Sequence, residues 1–162
     1  MKIEHLEERV VDYKASIETV VDKKTHWQNT TKPLLLKTLN SITKRYDLGW
    51  KVQELNWIHN NEAVNISFDS FPAELIDCTN RIPAFQFLPG GALVFSQSYN
   101  GQIYVFVLFP EVEGAPAENT MVKLGIFNPK QLTEKIIVEK VDEFLKQMIK
   151  WEVPSIKKTV GY

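Results

Sequence analysis

Cysteine is almost absent from this chain. Cys78 is the only one in 162 residues, so no internal disulfide can form, and a reducing, cytoplasmic setting is expected. Histidine is scarce as well: His5, His26 and His59 stand far apart, and none has a second His or Cys at a ligand spacing, so neither a metal nor a cofactor is expected. No apolar run approaches the roughly 18 residues a membrane span needs, and the charged opening "MKIEHLEERV" lacks the apolar stretch of a secretory leader. A Gly-x-Ser-x-Gly nucleophile elbow is missing. The glycine pair in "LPGGAL" has no Lys-Ser or Lys-Thr after it and opens no helix, so it reads as a turn into a strand rather than a phosphate loop. Cys78 has Asp77 beside it and no second thiol. Glu54, Asp69, Glu74 and Asp77 gather along one stretch and are the only set that suggests hydrolase-type acid–base chemistry. Carboxylates in such segments are ordinarily just solvated, so a non-catalytic protein is expected.

What is present is ordinary globular composition with charge unevenly placed. Residues 23–51 carry Lys23, Lys24, Lys32, Lys37, Lys44, Arg45 and Lys51 against Asp47 alone, a net of +6, whereas residues 52–122 carry eight acids against Arg81, a net of −7. A basic block beside Trp27 and Trp50 could contact nucleic acid. The overall isoelectric point near 6.3 argues against it, and the same asymmetry arises when two parts of one domain face each other.

Residues 2–23 predict a helix. Ile3, Leu6, Val10, Tyr13, Ile17 and Val20 recur in steps of three and four, a heptad stripe. In a parallel homodimer Arg9 would meet Lys14, so antiparallel packing on a second helix of the same chain is expected. That second helix is placed at 33–46, with Pro33 in its first turn, Leu35, Leu39, Ile42 and Tyr46 on one face, and Gly49 as a left-handed stop. The polar "KKTHWQNTTK" reads as the connection. Asn128-Pro129 with Gln131 opens a final helix running to about Trp151, whose apolar arc (Ile137, Val138, Val141, Phe144, Leu145, Met148, Ile149, Trp151) is wide enough for two neighbours.

Between the helices lie strand patterns. Asn60-Asn61 as a two-residue turn sets Trp57 opposite Val64 and Leu55 opposite Ile66, leaving Glu54, Asn56, Asn65 and Ser67 on a wet face. The segment 70–91 is broken by proline and glycine, with "AFQFL" as a short strand inside it. Asn100-Gly101 as a two-residue turn pairs Gln97 with Tyr104, Phe95 with Phe106 and Leu93 with Leu108. The opposite face then carries Val94, Val105, Val107 and Phe109, so this hairpin is apolar on both sides and belongs in the middle of the sheet. "TMVKLGIF" supplies the last strand.

The expected fold is α+β: two N-terminal helices, a curved antiparallel meander of five to six strands, and a long C-terminal helix packed on the sheet. It forms one domain over 1–152, with 153–162 as a loose tail. In topology alone, over residues 25–151, this order resembles the helix-grip architecture of START-type lipid-binding proteins, although that fold opens with a strand and this chain opens with a helix. The resemblance implies a small apolar ligand held between sheet and last helix. The residues themselves suggest binding through an apolar sheet or helix surface, to a second copy or another protein. Phe95, Tyr99, Tyr104, Phe106, Phe144 and Met148 are the candidate contact residues for either case.

Overall fold

The structure, a computed structural model, describes residues 3–56, 61–69, 90–110 and 120–152. Helix α1 (Ile3–His26) does not end in a loop. It runs through one π-helical turn (Trp27–Thr31) directly into α2 (Lys32–Arg45), so the two expected N-terminal helices are joined into one. Strands β1 (Trp50–Asn56), β2 (Glu62–Phe68), β3 (Ala92–Gln97), β4 (Ile103–Leu108) and β5 (Met121–Phe127) follow, and α3 (Glu134–Glu152) closes the chain. The strands form one antiparallel sheet in sequence order, with β3 at its centre. The expected strand "AFQFL", residues 57–60 with the first residue of the expected Asn60-Asn61 turn, and the tail 153–162 fall outside the described residues.

The π turn has a packing cause. It brings Trp27 and Thr31 to the body of the domain together, both fully buried, and the Thr31 hydroxyl donates to the Pro129 carbonyl at 3.0 Å. A polar connection in sequence is therefore a buried anchor in space. Below it α2 buries Leu35, Thr38 and Leu39. Tyr46, expected on the same face, is exposed where the helix has already ended, and its carbonyl accepts from the Trp50 indole at 2.8 Å. Gly49 adopts φ +71°, the left-handed conformation expected of it.

The Asn128 capping box forms as expected: the Asn128 amide donates to Gln131 Oε1 at 2.7 Å, and Asn128 Oδ1 accepts from the Lys130 amide at 3.2 Å. It opens only a short 3-10 turn, Pro129–Gln131; α3 starts at Glu134, where Thr133 Oγ1 accepts from the Ile136 amide at 3.3 Å. Ile137, Val141, Phe144 and Met148 form the buried stripe of α3 against α2 and the sheet. Val138 and Ile149 are exposed, so the buried arc is narrower than the sequence suggests.

Both hairpin registers differ from the sequence expectation. In β3–β4, Gln97 pairs with Ile103, Phe95 with Val105 and Leu93 with Val107. The connection is a three-residue loop, Tyr99-Asn100-Gly101: the Gly101 amide donates to the Ser98 carbonyl at 3.0 Å, the Ser98 amide to the Gln102 carbonyl at 2.8 Å, and Gly101 sits at φ +85°. That is a tight turn followed by a left-handed glycine, the common three-residue hairpin. It moves β4 by one residue against β3 and so exchanges the faces of β4. Val105, Val107 and Phe109 join Leu93 and Phe95 in the core, while Tyr104, Phe106 and Leu108 turn to the outer face with Val94. In β1–β2, Leu55 pairs with Ala63 and Val52 with Ile66, a shift of three residues. Trp50 then lies on the inner face, stacked on Phe68 at 5.7 Å, and Phe68 in turn meets Phe144 at 5.6 Å. Asn65, expected in water, is buried.

Gly101 also lies against α1: a Cβ there would stand 2.6 Å from Lys23 Cβ and 3.4 Å from the Val20 carbonyl oxygen. Gly101→Ala therefore meets both a disfavoured φ and a backbone-anchored neighbour. We expect it to cost about 1–3 kcal/mol in urea denaturation, whereas Tyr99→Ala, at the exposed tip of the same loop, should be nearly neutral.

Candidate functional site

The outer face of the sheet is a grid of three rows. Gln53, Asn65, Val94, Phe106 and Lys123 form the middle row; Lys51, Ser67, Ala92, Leu108 and Met121 lie on one side of it, and Leu55, Ala63, Ser96, Tyr104 and Ile126 on the other. The grid divides across its width. Ala63, Asn65, Ala92 and Val94, on β2 and β3, are buried with Leu55 and Phe106 packed beside them. On β4 and β5, Tyr104, Leu108, Met121 and Ile126 are 36–56% exposed.

At that boundary lies a groove of about 700 Å³, lined by Ser96, Tyr104, Phe106, Met121, Lys123 and Ile126, with β5 backbone at Gly125 forming part of its floor. A β-bulge between Val105 and Phe106 shapes it. Val105 pairs with Gly125 but Phe106 with Lys123, so Leu124 is the extra residue and packs towards the core. Gly125 takes φ +146° there. The bulge turns Lys123 onto the same face as Phe106. Lys123 forms no ion pair with another described residue and is the one charge in a mostly apolar lining.

The six contact residues expected from sequence separate. Phe95, Phe144 and Met148 are buried in the core between the sheet and α3. Tyr104 and Phe106 line the groove on the opposite face, and Tyr99 stands 77% exposed at the hairpin tip. The one-residue register difference causes the split, because it carries Tyr104 and Phe106 away from Phe95. Sequence reasoning missed Met121, Lys123 and Ile126. The alternation in "MVKLGIF" was the available signal, but the bulge breaks its period.

A second apolar surface belongs to α1. None of its residues is buried, and Ile3, Leu6, Val10, Val11, Tyr13, Ile17 and Val21 are 44–67% exposed. The expected antiparallel packing on α2 is thus absent: α2 continues the same helix and turns its own apolar face to the sheet.

The carboxylate set is tied up in ion pairs where it is described. Lys32 bridges Glu62 at 2.8 Å and Glu54 at 3.6 Å, and Lys51 reaches Asp69 at 3.7 Å; Glu74, Asp77 and Cys78 lie outside the described residues. These three pairs join the basic block of the sequence to the acidic one. No group of His, Cys, Asp or Glu able to hold a metal occurs among the described residues, and none of their helices is long and apolar enough to cross a membrane. Protein-family models, curated proteins and solved structures were all compared with the chain, and none matches it.

Glu62 is the polar counterpart of the Trp27 anchor. Trp27 Nε1 donates to it at 3.4 Å, and the Gln28 amide donates to its other oxygen. Burial pushes its carboxyl up, but the bonds from Lys32, Trp27 and Gln28 outweigh that and hold it below the ordinary 4.5. The bond to Glu62 holds the Lys32 ammonium above 10.5, against the opposing effect of burial. A carboxyl lowered on folding stabilises fully above its unfolded value and loses that contribution as pH falls through the folded one; the raised lysine loses its own only as pH rises through its folded value. The contribution of this pair should therefore be flat through neutrality and fall as pH drops below about 4.5. In denaturation measured from pH 7 to pH 3, Glu62→Gln should be weaker at neutrality and lose less on acidification. Asn65 offers a separate check, since its Oδ1 is buried without a hydrogen-bond partner among the described residues. Asn65→Val should raise stability by about 1 kcal/mol, because it removes an unpaid desolvation and suits a strand.

Proposed function

We propose that this protein is a non-catalytic binding domain whose site is the outer face of β4 and β5, and whose ligand presents apolar surface together with one anionic group. The observation that carries the reading is the groove of about 700 Å³ in which Tyr104, Phe106, Met121 and Ile126 surround Lys123, which has no ion-pair partner among the described residues. Its volume lies in the range of small-molecule sites, and an apolar lining with a single orienting polar group is their usual composition. Covering such side chains gains about 25 cal/mol per Å² of apolar surface removed from water. Lys123 adds a preference for negative charge. A ligand between the sheet and α3, as in the helix-grip arrangement, would instead have to displace Phe95, Phe144 and Met148 from the core.

Anilinonaphthalene sulfonate, an apolar dye with one negative charge, is a suitable probe. Its fluorescence should rise on binding the folded protein. Lys123→Glu should weaken binding by about three- to tenfold. Tyr104→Thr combined with Ile126→Thr should weaken it strongly, with the fold retained in the thermal melt because neither side chain is buried and threonine suits a strand. Equal dye binding by that double variant, with its melt intact, would overturn the reading.

A further inference from the structure

Helix α1 leaves the body at its C-terminal end. Lys23 lies against Gly101, and Trp27 is buried just beyond, while every residue from Ile3 to Thr19 is exposed. Its heptad stripe is thus a free apolar surface on a stretch that carries little else. We propose that α1 pairs with α1 of a second copy of this chain as an antiparallel two-helix coiled coil in one specific register, a self-association separate from the groove.

The pattern of residues selects the direction. Setting Val10 against Tyr13 of the second copy also sets Leu6 against Ile17 and Ile3 against Val20. Each layer then joins one a position to one d position, and the layers repeat by symmetry about a two-fold axis between residues 11 and 12. The overlap of residues 3–20 uses the projecting stretch, about 26 Å of helix. The flanking e positions place Glu7 beside Lys14 of the second copy, twice by symmetry, and the g positions place Arg9 beside Ser16. A parallel pair would instead set Arg9 against Lys14, although Arg9 is already held by Asp12 of its own helix at 2.8 Å.

The charge on the halves agrees. Within the overlap, residues 3–12 hold four acids (Glu4, Glu7, Glu8, Asp12) against Arg9, and residues 13–20 hold Lys14 against Glu18 and are neutral. Antiparallel pairing lays the acidic half of one helix along the neutral half of the other, whereas parallel pairing brings the two acidic halves together. It also sends the two bodies to opposite ends of the coil, where a parallel pair would crowd them at the same end.

Sedimentation equilibrium of the full chain over a range of concentrations tests this. The wild type should be dimeric, and Leu6→Lys with Ile17→Lys should be a folded monomer by circular dichroism. Lys14→Glu decides the direction. In the antiparallel register it faces Glu7 and should weaken the dimer about tenfold, with Glu7→Lys on the same chain restoring it. In a parallel register it would face Arg9 and tighten the dimer. A monomeric wild type, a tighter Lys14→Glu dimer, or a dimer that survives Leu6→Lys with Ile17→Lys each overturns the proposal. None of these α1 substitutions should alter dye binding at the groove, so the two surfaces succeed or fail separately.

Discussion

The backbone of Gly101 decides which side of β4 faces the core. At φ +85° it completes a three-residue loop, and that loop sets Phe95 opposite Val105 rather than Phe106. Every face assignment on β4, and through it on β5, follows from this single register. It sends Ile103, Val105 and Val107 inward, into the core they share with side chains of α2 and α3. It sends Tyr104, Phe106 and Leu108 outward, which creates the open apolar half of the grid. The same glycine admits Lys23 and Val20 of α1 at close range, so the residue that fixes the sheet also fixes where the helix passes it.

The long helix is held by a second, complementary device. The π turn puts Trp27 and Thr31 against the body together, and Gln28 and Lys32 converge on Glu62. Trp27 contributes burial, and the carboxylate supplies direction by accepting from three side chains. Because the anchor lies at the junction of α1 and α2, the helix can lie on the sheet below it and stand clear of the domain above it. An exposed stripe on α1 is a consequence of that placement: the body offers no surface along residues 3–19.

Much of the fold was legible in the sequence because its signals are local. The element order, the strand count, the capping box at Asn128, the left-handed Gly49 and the buried face of α2 rest on periodicity and turn chemistry that a window of residues contains. Asn100-Gly101 shows where such a window ends. The pair suits a two-residue turn and a three-residue loop almost equally, and the choice depends on neighbours far away in sequence, Lys23 among them. The candidate site inherited that ambiguity, which is why Phe95, Phe144 and Met148 were grouped with Tyr104 and Phe106. Periodicity likewise found the apolar stripe of α1 but not what it faces. The polar stretch around Trp27 suggested a loop because the partner that makes helix worthwhile there, Glu62, lies 35 residues on.

The core and the two exposed apolar surfaces draw on largely separate side chains. The core consists of the inner faces of the strands with Trp27, α2 and α3; the groove is lined mainly by outward residues on β4 and β5, with Ser96 of β3, and touches the core at Val105 and Leu124; the stripe belongs to α1 alone. A typical domain is stable by only about 5–15 kcal/mol, and apolar groups left in water add nothing to that margin while favouring aggregation. Mutational drift towards polar residues would leave the folding of this chain largely intact at Tyr104, Met121, Ile126, Leu6 or Ile17, since none of them is buried. Under the two proposals, what these positions gain from being apolar comes from contacts made after folding. The argument is strongest where the apolar residues are ordered rather than merely present. On α1 they keep a heptad spacing with complementary charges beside it, and in the groove they surround one lysine.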